Sequence, residues 1–120
     1  LDGQELQIVG GLIGERGSEA ELKAFALLVR KYRDLDPVFY SSLWQTAIFE
    51  GAKHAGYVLA VALEDRRIAF RVVRYADLAA GALQRQTGED FGVVNDAPLF
   101  ARDRSIARAL AWLRMNGYAQ

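Results

Sequence analysis

Arg104, Arg108 and Trp112 stand four residues apart in turn, and they are the residue types in this chain best placed to hold a ligand. Four residues is close to one helical turn, so a helix would set two guanidinium forks and an indole along one stripe. A guanidinium binds carboxylate or phosphate through paired N–H donors, and an indole face accepts a cation or stacks on a ring. The trio is therefore the candidate binding site, and the ligand it suits is acidic, nucleic acid included. The plainer reading is a solvated helix face, with Trp112 buried at its edge and Asp103 neutralising part of the charge, and it is favoured.

His54, the single histidine, lies four residues after Glu50, where a helix would put imidazole and carboxylate on one face. Such a pair can serve as general acid or base. No serine or threonine is placed to be its nucleophile. Lys53 and His54 read more simply as positive charge at a helix C-terminus, where it complements the dipole.

The run Gly10-Gly-Leu-Ile-Gly-Glu-Arg-Gly-Ser18 precedes a helix start, as phosphate loops do. Its spacing matches neither the dinucleotide fingerprint nor the P-loop, and Glu15, Glu19 and Glu21 would repel an anion. The run reads as a turn with a bulge. Glu64-Asp65 and Glu89-Asp90 are adjacent carboxylates in turns, which point apart into solvent more readily than toward one cation. No catalytic residue, metal ligand or cofactor is assigned.

Composition narrows the classes. The chain has 120 residues, 52% apolar and 25% charged, which is the make-up of one globular domain and not of a disordered or coiled-coil chain. With no cysteine, disulfides and thiolate zinc sites are excluded. No apolar run reaches the ~18–20 residues of a membrane span. The expectation is a cytoplasmic domain of residues 1–120, which, beginning at Leu1, has either lost a tag or been cut from a longer polypeptide, the second being favoured. Net charge is zero, so the domain as a whole offers nucleic acid no electrostatic footprint. All nine basic residues of 61–120 are arginine, yet Arg71 and Arg74 fall on opposite faces of a strand and make no patch unaided.

The elements that would position these residues follow from pattern. Folding 57–74 about Asp65-Arg66 sets Leu63 opposite Ile68, Val61 opposite Phe70 and Leu59 opposite Val72. One face of that hairpin is large and apolar; the other carries Val58, Ala60, Ala62, Ala69, Arg71 and Val73. A one-residue slip would turn the large face outward, so the register is well specified. Ser18 with Glu21 forms a capping box ahead of a helix lined by Leu22, Phe25, Ala26, Val29 and Tyr32, which Leu27 and Leu28 widen. Asp36-Pro37 starts a second helix to Lys53. Asp77 caps a third, Leu78 to about Gln86, closed by Gly88. Gly81 inside it implies tight packing, with the small hairpin face as neighbour. Asp103 caps a fourth to about Asn116, with Ile106, Leu110 and Leu113 buried and Gly117 beyond. Glu5–Val9 and Phe91–Val94 are short strand candidates.

The fold expected is α+β: a central antiparallel β-hairpin, about 57–63 and 68–74, with one or two short extra strands packed by about four helices. Helix, helix, hairpin is also the order of winged-helix DNA binders. The 37–53 helix, however, carries one basic residue where a recognition helix needs several, so nothing transfers. The function favoured is a non-catalytic accessory or interaction domain that binds a protein partner or forms a homodimer, because aromatics and arginines are enriched at interfaces. The alternative is an arginine-based site for an acidic ligand or nucleic acid; third is a small enzyme using His54 and Glu50. Trp112 and the last helix are expected to contribute more to an interface than the hairpin.

Overall fold

The computed structural model describes residues 18–33, 55–94 and 96–119. The expected 5–9 strand, the glycine run before Ser18, the 37–53 helix, Glu50 and His54 lie outside the described residues. The class is α+β: four helices among the described residues, with a two-stranded antiparallel sheet. The chain divides into two compact units, Leu1–Val61 and Ala62–Gln120.

In the first unit, α1 (Glu19–Arg33) starts at the expected capping box. The Glu21 N–H donates to Ser18 Oγ at 3.3 Å, and the Ser18 N–H donates to Glu21 Oε1 at 3.2 Å. Leu22, Phe25, Ala26 and Val29 are buried, which is one stripe at helical spacing. Leu27 does not widen it: its side chain is 69% exposed. The Tyr57 hydroxyl donates to Glu19, and the Lys23 ammonium lies 5.3 Å from the Tyr57 ring centroid.

The division falls within α2 (Gly56–Leu63), and this helix overturns the first arm of the expected hairpin. Residues 57–63 are helical. Every residue from Ala55 to Leu63 is buried, so the run has no polar face from which a period of two could be told from one of 3.6. A helix that is apolar all round is a buried helix, and Ala and Leu, which dominate its second half, are strong helix formers.

The second unit holds the sheet. Strands β1 (Ile68–Phe70) and β2 (Val73–Arg74) pair with Ile68 opposite Arg74 and Phe70 opposite Val73. The register shifts between Ile68 and Phe70, leaving Ala69 as a bulged residue. The chain therefore turns at Arg71-Val72, not at Asp65-Arg66. Arg71 takes φ 53°, a left-handed conformation that costs a residue with a side chain ~1–2 kcal/mol. Ile68, Phe70 and Val72, expected in the core, are exposed.

Directly after β2, α3 (Tyr75–Thr87) begins three residues earlier than its pattern suggested. Its first free N–H groups are taken by the preceding loop: Tyr75 donates to the Arg67 carbonyl and Ala76 to that of Asp65. Arg74 is the cap position, and Asp77 sits inside the first turn. Gly88 closes the helix at φ 74°, as expected.

Gly81 is a different matter. A Cβ there would meet Val93 Cγ1 at 3.7 Å and Arg85 Nη1 at 3.5 Å, which is ordinary contact. The glycine is not required by close packing, and its neighbour is the 91–94 segment. Gly81→Ala should therefore raise stability by ~0.5–1 kcal/mol through backbone entropy. A thermal melt showing an unchanged or lower midpoint would contradict that geometry.

Phe91–Val94 forms no strand. Its ladder is replaced by one side chain: Gln84 Oε1 accepts the N–H of Phe91 at 2.9 Å and that of Val93 at 3.3 Å. Phe91 is buried. Finally, α4 (Leu99–Met115) starts after Pro98, one turn before Asp103, and packs on α3. Ile106, Ala109 and Leu113 are buried, Leu110 is half-buried and Ala107 is exposed. At its end, Tyr118 donates to the Leu113 carbonyl and Gly117, at φ 81°, to that of Arg114; this is the Schellman pattern. No described helix is long and apolar enough to cross a membrane.

Candidate functional site

The α4 helix carries Arg104, Arg108 and Trp112 along one stripe, as expected, and each has its own neighbour. The Arg104 guanidinium lies 6.0 Å from the ring centroid of Phe100, one turn back. Arg108 is exposed. Trp112 stacks on Tyr118, with ring centroids 6.3 Å apart and planes 14° apart. The indole thus packs on the residue just beyond the helix end, and the Asn116 amide donates to the Trp112 carbonyl at 2.8 Å.

The concentrated chemistry lies at the other end of α4. Asp77, Arg74 and Arg102 are all buried, and Asp77 is the hub. Arg74 grips it with two parallel N–H donors, Nε to Oδ2 at 3.1 Å and Nη2 to Oδ1 at 3.0 Å, and its backbone N–H reaches Oδ2 at 2.9 Å. Arg102 Nη1 donates to the same Oδ2 at 2.8 Å. Arg74 also bridges to Asp103 Oδ1 at 2.8 Å, and Arg66 pairs with that carboxylate from outside. Asp65, expected at a solvated tip, is buried and held by both forks of Arg67.

Arg102 does more than balance charge. Its Nε donates to the Ala97 carbonyl and its Nη1 to the Val72 carbonyl, each at 2.9 Å. One side chain therefore ties the hairpin turn, the start of α3 and the approach to α4 together. Sequence reasoning missed this cluster because it set Asp77 at the cap of a helix from Leu78, whereas Arg74 is the cap and Asp77 lies in the first turn facing it. The Arg74–Asp77 spacing of three is its only local signal.

Burial alone would push the Asp77 carboxyl up, but the hydrogen bonds from the Arg74 side chain and backbone, its charge and Arg102 hold it below its ordinary range. Asp103 is lowered too, first by its hydrogen bond from Arg74. Both folded-state values lie under the unfolded ones, so this stabilisation is full above the ordinary carboxylate pKa of ~4 and is lost as pH falls through the lower folded values. Unfolding midpoints should therefore be flat from neutral pH to about 5 and drop below about 4. With Asp77→Asn the drop should shrink; an unchanged acid limb would assign it to other groups.

Chemically, the cluster holds shape. Both Asp77 oxygens accept from guanidinium donors, three N–H groups meeting at Oδ2 and one at Oδ1. Ser105 Oγ is within donating distance of the Gly92 and Ala101 carbonyls, at 3.0 and 3.3 Å. The crevice between Asp77, Arg102, Ser105 and Val93 has room for about one water molecule, where a small-molecule site needs ~300 Å³ or more. Among the described residues, no three His, Cys, Asp or Glu side chains gather to hold a metal ion.

The cluster ties together two elements that each expose apolar side chains. Ile68, Phe70 and Val72 on the hairpin, with Leu99 and Phe100 on the first turn of α4, all face solvent; Phe70 is 54% and Phe100 68% exposed. No protein-family model, curated protein or solved structure matches this chain.

Proposed function

We propose that this chain is a non-catalytic interaction domain, which binds a protein partner or a second copy of itself through the hairpin turn and the first turn of α4. The observation that carries the reading is the outward display of five large apolar side chains on backbone clamped by buried ion pairs. Exposed apolar patches of a few hundred Å² mark interaction surfaces, and a rigid backbone lowers the entropy lost on docking. The hairpin, and not Trp112 with the end of α4, is the contact element in this reading.

A photo-crosslinking residue placed at Phe70 or Phe100 in cells should give adducts of discrete mass, and one placed at Met115 should not. Met115 is the matched control, being 87% exposed at the far end of the same helix. Equal labelling at all three positions, or none, would sink the proposal. Sedimentation of the purified chain separates self-association from a heterologous partner.

Arg104 and Arg108 support a second reading, a site for an acidic ligand or nucleic acid. Both are exposed, and neither has a carboxylate partner among the described residues. Affinity that falls steeply with salt would favour it.

A further inference from the structure

We propose that Asn116-Gly117 is a self-modifying site, where the Asn116 side-chain amide leaves as ammonia at a rate set by the opening of the cap on α4. The chain holds two asparagines, Asn95 and Asn116, and Asn116 is the one followed by glycine. Glycine has no side chain to shield its backbone nitrogen or restrict its approach, so that nitrogen reaches the preceding side chain readily. Both residues are exposed, and a Cβ added to Gly117 would meet nothing within 4 Å among the described residues. Water and base have open access.

The chemistry needs only this chain and water. The Gly117 nitrogen gives its proton to base and attacks Asn116 Cγ. The N–Cγ bond forms, the Cγ–Nδ2 bond breaks, and the departing nitrogen takes up that proton to leave as ammonia. Water then opens the five-membered imide at either carbonyl. The product is aspartate at 116, or isoaspartate, in which the main chain runs through Cγ.

The cap opposes the first step by geometry. At ψ 7° the Gly117 nitrogen nearly eclipses the Asn116 nitrogen about the Cα–C bond. Substituents on a tetrahedral carbon stand a third of a turn apart, so Cβ is rotated away and Cγ is out of reach. Three hydrogen bonds hold that angle: Gly117 N–H to the Arg114 carbonyl at 3.2 Å, Tyr118 N–H to that of Leu113 at 2.9 Å, and Asn116 Nδ2 to that of Trp112 at 2.8 Å. The first engages the proton that must leave, and the last engages the leaving group. Tyr118, stacked on Trp112, ties down the chain beyond. Helix ends fray, so the restraint is a matter of rate. The product bars the way back. A carboxylate at 116 faces the negative end of the helix dipole and has lost the Nδ2 donor, while isoaspartate adds a backbone atom between the bonded groups. Modification therefore releases the end of α4 in one direction.

The test incubates the purified chain in mildly alkaline buffer, folded and in urea. Ion exchange follows the gain of a negative charge, and fragment masses place it. A synthetic peptide of residues 114–120, with and without urea, corrects for the solvent. Conversion at 116 should be about tenfold or more faster in urea than in the folded chain. Tyr118→Ala should speed it in the folded chain, and Asn116→Gln should abolish it, since closure would then need a six-membered ring. In the separated product, the Gly117 and Tyr118 amides should exchange hydrogen faster than before. No charge gain at 116 in either state would overturn the site. Equal rates folded and in urea, or a Tyr118→Ala chain that converts no faster, would overturn the cap as its restraint. Unchanged exchange in the product would overturn the release of the helix end.

Discussion

Asp77→Asn should destabilise the chain by about 3–5 kcal/mol, the usual effect of removing one partner from a buried ion pair. The substitution keeps the volume and removes the charge that two buried guanidinium groups face. Its amide NH₂ also sets donors against donors, since arginine accepts no hydrogen bond. Backbone amides around Arg71 and Val72 should then exchange faster, because Arg102 is released from its place under the turn. Urea unfolding measures the first effect and hydrogen exchange the second. A loss under ~1 kcal/mol would mean that water reaches the cluster and screens it as it does a surface pair. Asp103→Asn should cost much less, because that carboxylate is half exposed.

Phe91→Ala and Phe70→Ala make the same chemical change in opposite surroundings. Phe91 is 4% exposed, and its removal should cost ~3–5 kcal/mol by lost transfer and cavity terms. Phe70 lies on the open side of the hairpin, so its removal should stay within ~0.5 kcal/mol. Equal losses in denaturant melts would restore a core position for Phe70 and refute the turn at Arg71-Val72.

Local signals in the sequence were legible where they involve one turn of chain. The Ser18–Glu21 box, the Leu22–Val29 stripe, Gly88 and Gly117 all stand where short-range stereochemistry puts them. The 57–63 segment was not legible for a physical reason. Burial on every side erases the polar positions that reveal period, and the pairing of Val61 with Phe70 was inferred from apolarity that a buried helix shares. Once that arm is a helix, Ile68, Phe70 and Val72 lose the partners that would have covered them. Arg104, Arg108 and Trp112 were identified by spacing alone, whereas Arg102, buried on the same helix, acts through the Val72 carbonyl thirty residues away. A contact of that range leaves no periodic trace.

The bulge at Ala69 also bears on solubility. Ile68-Ala-Phe-Arg-Val-Val73 is rich in β-formers and carries one charge, the composition of a segment able to stack into a cross-β fibre. Such stacking needs flat, extended copies in register. Here the extra residue bends the strand, and the left-handed turn at Arg71 breaks it after three positions. The clamp that presents the segment therefore also keeps it from templating its own kind. Acid that protonates Asp77 would free Arg102 and loosen the turn it pins, so fibre growth is expected to be faster in acid than at neutral pH.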